Sequence, residues 1–201
     1  MNKIQSEPAS NYKPVRYSET VLTELMIPAY ANFGGKIHGG TLLSLMDKVA
    51  YVCAAKHAGN YCVTASIDTV NFLAPVEVGE LVSLMASINY VGNTSVVVGI
   101  RVVSENIKTN KVKHTNTCYF TMVAKDEQNQ PVQVPGLILE NREQVRRFIE
   151  AKERKDLRRQ YQKELEQVNI PEKDEQCRNL LAGERCMMTQ HTATVFSEKQ
   201  E

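Results

Sequence analysis

The spacing of hydrophobic and polar positions changes three times along this chain, and each change marks an element. Residues 19–27, ETVLTELMI, alternate loosely and stop at Pro28, which predicts a first strand. A loop over 28–36 follows, and then the period lengthens. Leu42, Leu43, Leu45, Met46, Val49, Val52 and Cys53 predict a helix from about residue 41 to 57. These residues cover more than one stripe, so the helix is expected to be wrapped by other structure rather than laid on a surface. Gly59 and Asn60 supply its C-terminal stop.

Beyond the stop the period is two. Residues 61–70, 81–90, 95–105 and 113–125 are rich in Val, Ile, Thr, Tyr and Phe. Turn residues separate them: Ala74-Pro75 with Gly79, then Gly92-Asn93, then the stretches 106–110 and 126–131. The order is a strand, one apolar helix and four strands, of which the last three are joined by short turns. An antiparallel meander is expected there. An antiparallel sheet curled around the helix is the simplest α+β architecture with that order.

The pattern changes again at Asn141. The stretch NREQVRRFIEAKERKDLRRQYQKELEQ opens with Asn141 and Gln144 at capping-box spacing and predicts a second helix. Val145, Phe148 and Ile149 share one face, which is expected to dock on the core. Beyond Ala151 only Leu157, Tyr161 and Leu165 interrupt dense mixed charge, as in a solvated helix. The chain thus divides into a polar segment (1–17), a main domain (18–140), a charged helix (141–168) and a tail (169–201), flexible or unassigned, with no convincing period.

Composition narrows the function. A chain of 201 residues, 42% hydrophobic, supplies one core of ordinary size. Net charge is +1 and the basic residues alternate with acidic ones, so no electrostatic footprint for nucleic acid is present. No apolar run is long enough to span a bilayer. The first twenty residues lack the apolar centre of a secretory signal. Five cysteines, an odd number without paired spacing, fit reduced thiols. A soluble, cytoplasmic protein is expected. Cys177, Cys186 and His191 do not have zinc-site spacing, so no metal is expected.

The candidate chemistry lies in NFGGKIHGGTLLSLMDKVAYV, residues 32–52. Asn32 falls in a glycine-rich loop, His38, Gly39 and Gly40 fall at the mouth of the helix, and Asp47 falls about two turns inside it. The first N–H groups of a helix have no intrahelical partner, and glycines let a ligand approach them. Such donors stabilise an oxyanion. A carboxylate on an apolar helix needs pairing, a raised pKa or a use. An oxyanion site, a carboxylate and a side-chain amide together suit acyl transfer. Each residue also has a plainer role: Asp47 in an ion pair, Asn32 and His38 in shaping the loop, and the two glycines in close packing.

The same stretch resembles the signature of the hot-dog acyl-CoA thioesterases, in the branch of bacterial and brain-type acyl-CoA hydrolases. The likeness covers roughly residues 18–125 and includes VNFLAPVEVGE and VGNTSVVV. It implies a curved antiparallel sheet around one long central helix, and hydrolysis of acyl-CoA to a free acid and coenzyme A without metal or further cofactor. It implies Asn32 and Asp47 as the catalytic pair, with His38, Gly39 and Gly40 around the oxyanion. By the same likeness Asn71, Phe72, Gly92, Asn93, Thr94 and Ser95 stand near coenzyme A. It implies a homo-oligomer in which a dimer shares the site, a hexamer being the expected assembly. On this likeness Asp47 is expected to act as general base or as nucleophile; the two routes read alike in the sequence. Arg146, Arg147, Arg154, Arg158 and Arg159 either meet phosphates or form a solvated face, the second being expected. The alternatives are an acyl-CoA sensor or scaffold, and a hot-dog hydratase or dehydratase; Gly39-Gly40 in place of a Pro-Gly step disfavours the latter.

Overall fold

The computed structural model describes residues 11–171 and 173–188. His191 and most of the polar N-terminal segment lie outside them. The described chain forms two compact units, one up to Arg154 and one from Lys155 onward.

The first unit is built on a five-stranded antiparallel sheet of β2 (Thr20–Leu25), β3 (Tyr61–Ile67), β4 (Glu80–Val91), β5 (Ser95–Asn106) and β6 (Lys111–Lys125), in the order β2-β4-β5-β6-β3. β4, β5 and β6 form the expected meander, and β3 is a free edge. The sheet curls around helix α1 (Gly39–Ala58). Met46, Val49, Ala50 and Cys53 from α1 meet Leu84, Ile100, Cys118, Phe120 and Met122 from the sheet, all essentially without solvent contact. Truncating a core aromatic such as Phe120 to alanine costs about 3–5 kcal/mol.

Both ends of α1 are held by side chains or a special backbone. At the start, the Gly40 N–H donates to His38 Nδ1 at 2.9 Å. At the end, Gly59 adopts φ 74° and its N–H reaches Ala55 O at 2.8 Å, a conformation that favours glycine. Lys13 Nζ donates to the His57 carbonyl at 2.6 Å, placing a cation at the negative pole of the helix.

Two expectations need correction. α1 is not wrapped all round: Ser44, Asp47, Lys48 and Tyr51 lie on one exposed face. β3 is the last strand on that side, so nothing among the described residues covers them. On α2 (Arg142–Glu166), Val145 and Ile149 are exposed, whereas Phe148 packs against Tyr90 with ring centroids 5.1 Å apart and Ala151 is buried. The Arg154 guanidinium stacks 3.6 Å above the Tyr119 ring. The docking stripe is therefore Phe148, Ala151 and Arg154, set by the rings available on β4 and β6. The cap forms as a shifted box: the Gln144 N–H donates to Asn141 Oδ1 at 2.9 Å, and Gln144 Oε1 accepts from the Glu140 N–H at 2.7 Å.

A short parallel pair, β1 (Tyr12–Pro14) with β7 (Gly136–Ile138), was not expected from the sequence. The Tyr12 ring lies so close over Gly136 that a Cβ there would fall 2.3 Å from it. The second unit holds the end of α2, with Leu157, Tyr161 and Leu165 exposed, and a short helix α3 (Asp174–Leu180) within the stretch that showed no period. Among the described residues, no helix is long and apolar enough to cross a membrane.

Candidate active site

The loop before α1 is a tight hairpin closed by the bridge between Ala31 and Ile37. Asn32 shapes it. Its Oδ1 accepts from the Gly34 N–H at 2.8 Å and the Lys36 N–H at 3.2 Å, and its own N–H donates to Lys36 O at 2.7 Å. Both side-chain bonds use the oxygen, so the Nδ2 donors take no partner among the described residues. Phe33, at the tip, is fully exposed.

At the helix mouth, the His38 ring accepts the Gly40 N–H, and an accepting ring nitrogen carries no proton; the contact therefore assigns the proton of a neutral ring to Nε2. Gly40 is thus committed to the cap. The Gly39 N–H has no acceptor among the described residues. The Phe72 ring stands beside it: a Cβ on Gly39 would meet Phe72 Cζ at 3.4 Å.

Asp47 is exposed in the protomer, so the carboxylate bears no burial cost there. Its Oδ1 accepts a 2.6 Å hydrogen bond from Thr64 Oγ1 on β3. The same hydroxyl lies 3.3 Å from Met122 Sδ, but a carboxylate is much the stronger acceptor. The ladder between β3 and β6 slips between Thr64 and Ser66, a bulge that lets the edge strand re-aim its side chains toward α1. Sequence reasoning missed Thr64. A threonine in a strand reads as a β-former, and only the bulge and the approach of α1 single it out.

The candidate residues fall into two groups. Asp47 lies eight positions beyond Gly39, about 12 Å at a rise of about 1.5 Å per residue, too far for one small group to touch both in a single protomer. Asn71 and Phe72 lie at the Gly39 end, where the Asn116 amide on β6 holds Asn71 O at 3.1 Å. Gly92, Asn93, Thr94 and Ser95 lie at the opposite end of β6, where Ser95 pairs with Val123 and the Ala124 N–H donates to Thr94 O at 2.9 Å. In that turn the Gly92 N–H donates to Ser95 O at 2.7 Å and the Val134 N–H to Asn93 O at 2.9 Å.

Other titratable groups are held in different ways. Burial pushes the thiols of Cys53 and Cys118 up to about 12 and that of Cys62 to about 11, which keeps them protonated near neutral pH. Arg146 and Arg147 both pair with Glu143, and their hydrogen bonds hold that carboxyl down to about 2. These arginines already have acidic partners on their own helix. Among the described residues, no group of three or more His, Cys, Asp or Glu is placed to hold a metal ion.

Residues 34–111 match the Thioesterase superfamily. Protein VdlD of Helicobacter pylori is 47% identical over 141 residues, spanning 70% of this chain and 80% of that one. A solved apo-hexameric acyl-CoA thioesterase is 36% identical, with a TM-score of 0.73 over 75% of this chain and 97% of that one. An acyl-CoA hydrolase from Staphylococcus aureus, solved with butyryl coenzyme A, coenzyme A and coenzyme A disulfide, is 30% identical, with a TM-score of 0.71 over 78% of this chain and 95% of that one. The same hydrolase has been solved as three variants, in which an asparagine, an aspartate or a threonine is replaced by alanine. A sheet curled on one long helix with a glycine-lined mouth is the hot-dog thioesterase fold. This chain belongs to that superfamily, among its acyl-CoA thioester hydrolases.

Proposed function

We propose that Asp47, held by Thr64, drives hydrolysis of the acyl-CoA thioester in a site completed by a second copy of the chain. The carrying observation is the 2.6 Å bond from Thr64 to Asp47, which fixes one carboxylate oxygen and leaves the other for chemistry. The residues replaced in the S. aureus variants are separated by 15 and 17 positions, as are Asn32, Asp47 and Thr64. That coincidence supports a shared set of three.

In the general-base route, Asp47 takes a proton from water as the oxygen adds to the carbonyl carbon. The carbonyl oxygen becomes an oxyanion facing the Gly39 N–H, and the Asn32 amide, with its unpartnered Nδ2 donors, orients the water or the carbonyl. Collapse breaks the carbon–sulfur bond, and the thiolate of coenzyme A takes up a proton. In the nucleophile route, Asp47 attacks the carbonyl itself, and the carbon–sulfur bond breaks to release the coenzyme A thiolate, which takes up a proton. Water then hydrolyses the resulting anhydride to the free acid and the Asp47 carboxylate. Either way the reactants are acyl-CoA and water alone.

The separation of Gly39 from Asp47 is bridged if the mouth of one copy faces the carboxylate of another. The free edge of β3, with Tyr61 and Ile67 exposed, is the surface proposed for that pairing. The hexameric forms of two structural relatives support an assembly of three such dimers. Asn71, Phe72 and residues 92–95, from different copies, are proposed to border coenzyme A. The free cysteines suit a cytoplasmic setting.

The test is thiol release from acyl-CoAs of graded chain length. Release from at least one is expected. A folded, oligomeric protein that binds acyl-CoA in calorimetry but releases no thiol from any member would overturn the hydrolase reading in favour of a sensor.

A further inference from the structure

Asn116 is fully buried on β6, yet only half of its amide is used. Nδ2 donates to Asn71 O at 3.1 Å, while Oδ1 has no partner among the described residues. A buried oxygen left unpaired is costly, and leucine would fill the same shape without that cost. What the fold gains from the amide is the bond to Asn71.

That bond is one of three pins on a single segment. The Asp68 N–H donates to Tyr119 O at 3.0 Å, the Asn116 amide reaches Asn71 O, and the Leu73 N–H donates to Thr115 O at 2.9 Å. The segment so pinned continues the path of β3 along β6. The ladder between β5 and β6 slips between Val102 and Val103, with Thr115 as the extra residue, and this bulge sits directly beside Asn116. Two of the pins fall on the immediate neighbours of Phe72. The Phe72 side chain is 48% exposed, so burial alone does not hold it, and its ring is aimed by the backbone on either side. It stands over Gly39, whose N–H has no acceptor among the described residues.

We infer that Asn116 is a positioning residue for the hydrolase: through Asn71 it holds Phe72 as a wall beside the Gly39 N–H, where the thioester must enter. This rests on the thioesterase reading above and adds to it a residue that touches no substrate. Loosening the wall weakens capture of acyl-CoA and leaves the Asp47 and Thr64 chemistry intact. KM should therefore rise while kcat holds.

The experiment compares wild type, Asn116→Leu, Phe72→Ala and the double variant, measuring thiol release, thermal midpoint and oligomeric state. Asn116→Leu removes the unpaired oxygen along with the pin, so its thermal midpoint should hold or rise, whereas KM should increase on the order of fivefold with kcat within about twofold. Phe72→Ala should show the same split, and the double variant should match Phe72→Ala rather than compound it. An unchanged KM in folded Asn116→Leu, or losses that compound in the double variant, overturns the inference. Phe72 is an exposed loop residue, so Phe72→Ala tests the wall even if Asn116→Leu fails to fold, and an unchanged KM there also overturns it. Failure of the underlying reading looks different: wild type itself would release no thiol.

Discussion

Thr64 Oγ1 donates to Asp47 Oδ1 across 2.6 Å, tying the edge strand β3 to the exposed face of α1. Asp47→Asn keeps the shape and removes the base, so kcat should fall on the order of 10²-fold or more with little change in KM. Thr64→Val removes only the hydroxyl and should cost about tenfold in kcat, while Thr64→Ser should retain most activity. Steady-state thiol release decides. Near-wild-type turnover by folded Asp47→Asn would remove Asp47 from the chemistry.

The distance between Gly39 and Asp47 makes a second prediction. If the loop of one copy completes the site around the carboxylate of another, inactive Asn32→Ala and inactive Asp47→Asn should complement after subunit exchange. Half of randomly formed dimers are hybrids with one intact site each, so recovery should approach roughly a quarter of wild-type activity. Hybrids confirmed by mass spectrometry yet inactive would place both residues in one copy's site.

The cap of α1 can be tested separately. A Cβ on Gly40 would lie 3.0 Å from His38 Nδ1, so Gly40→Ala should push the ring off the N–H it accepts. Losing an N-cap costs about 1 kcal/mol, which corresponds to roughly 2–4 °C in the thermal midpoint of a chain this size. His38→Ala should lose a similar amount and His38→Asn, itself a good cap, should lose little. Calorimetric scans of the three variants provide the comparison.

A pH dependence follows from His57. The ring is fully buried with Nε2 3.0 Å from Pro135 O, and burial pushes its pKa below the ordinary 6.5; the contact with Pro135 works against this shift and the charge of Lys13 works with it. Below pH 6.5 the unfolded chain binds a proton that the folded chain resists. The contribution is therefore complete above 6.5 and declines as pH falls toward the folded value. The thermal midpoint should drop between pH 7.5 and 5.5, and His57→Gln should flatten that slope. Equal slopes in both proteins would assign the effect to other groups.

Long periodic elements were legible in the sequence and short ones were not. α1 and the meander carry many turns of their period, and Gly59 marks the stop by its backbone conformation. β1 and β7 are three residues each, too short to display a period, and depend on Tyr12 reaching Gly136. Val145 and Ile149 are as apolar as Phe148, but only tertiary placement of Tyr90 decides which of them docks. In the site, Asn32, His38, Gly39, Gly40 and Asp47 stood out because glycine and charge are conspicuous beside an apolar helix. Thr64 and Asn116 are ordinary strand residues until two bulges and the neighbouring elements give them partners.

β6 also works as a caliper. Near one end of it, Thr115 and Asn116 fix the segment carrying Phe72, and further along Met122 pairs with Thr64. The residues between them set how far the wall stands from the carboxylate. A single inserted or deleted residue within that span reverses which side chains face α1 and shifts one group against the other, whereas the turn over 126–131 absorbs length changes without moving either. In the proposed two-fold assembly, one miscounted strand would misplace the wall of one site and the carboxylate of the other, so a local error in length would be felt twice.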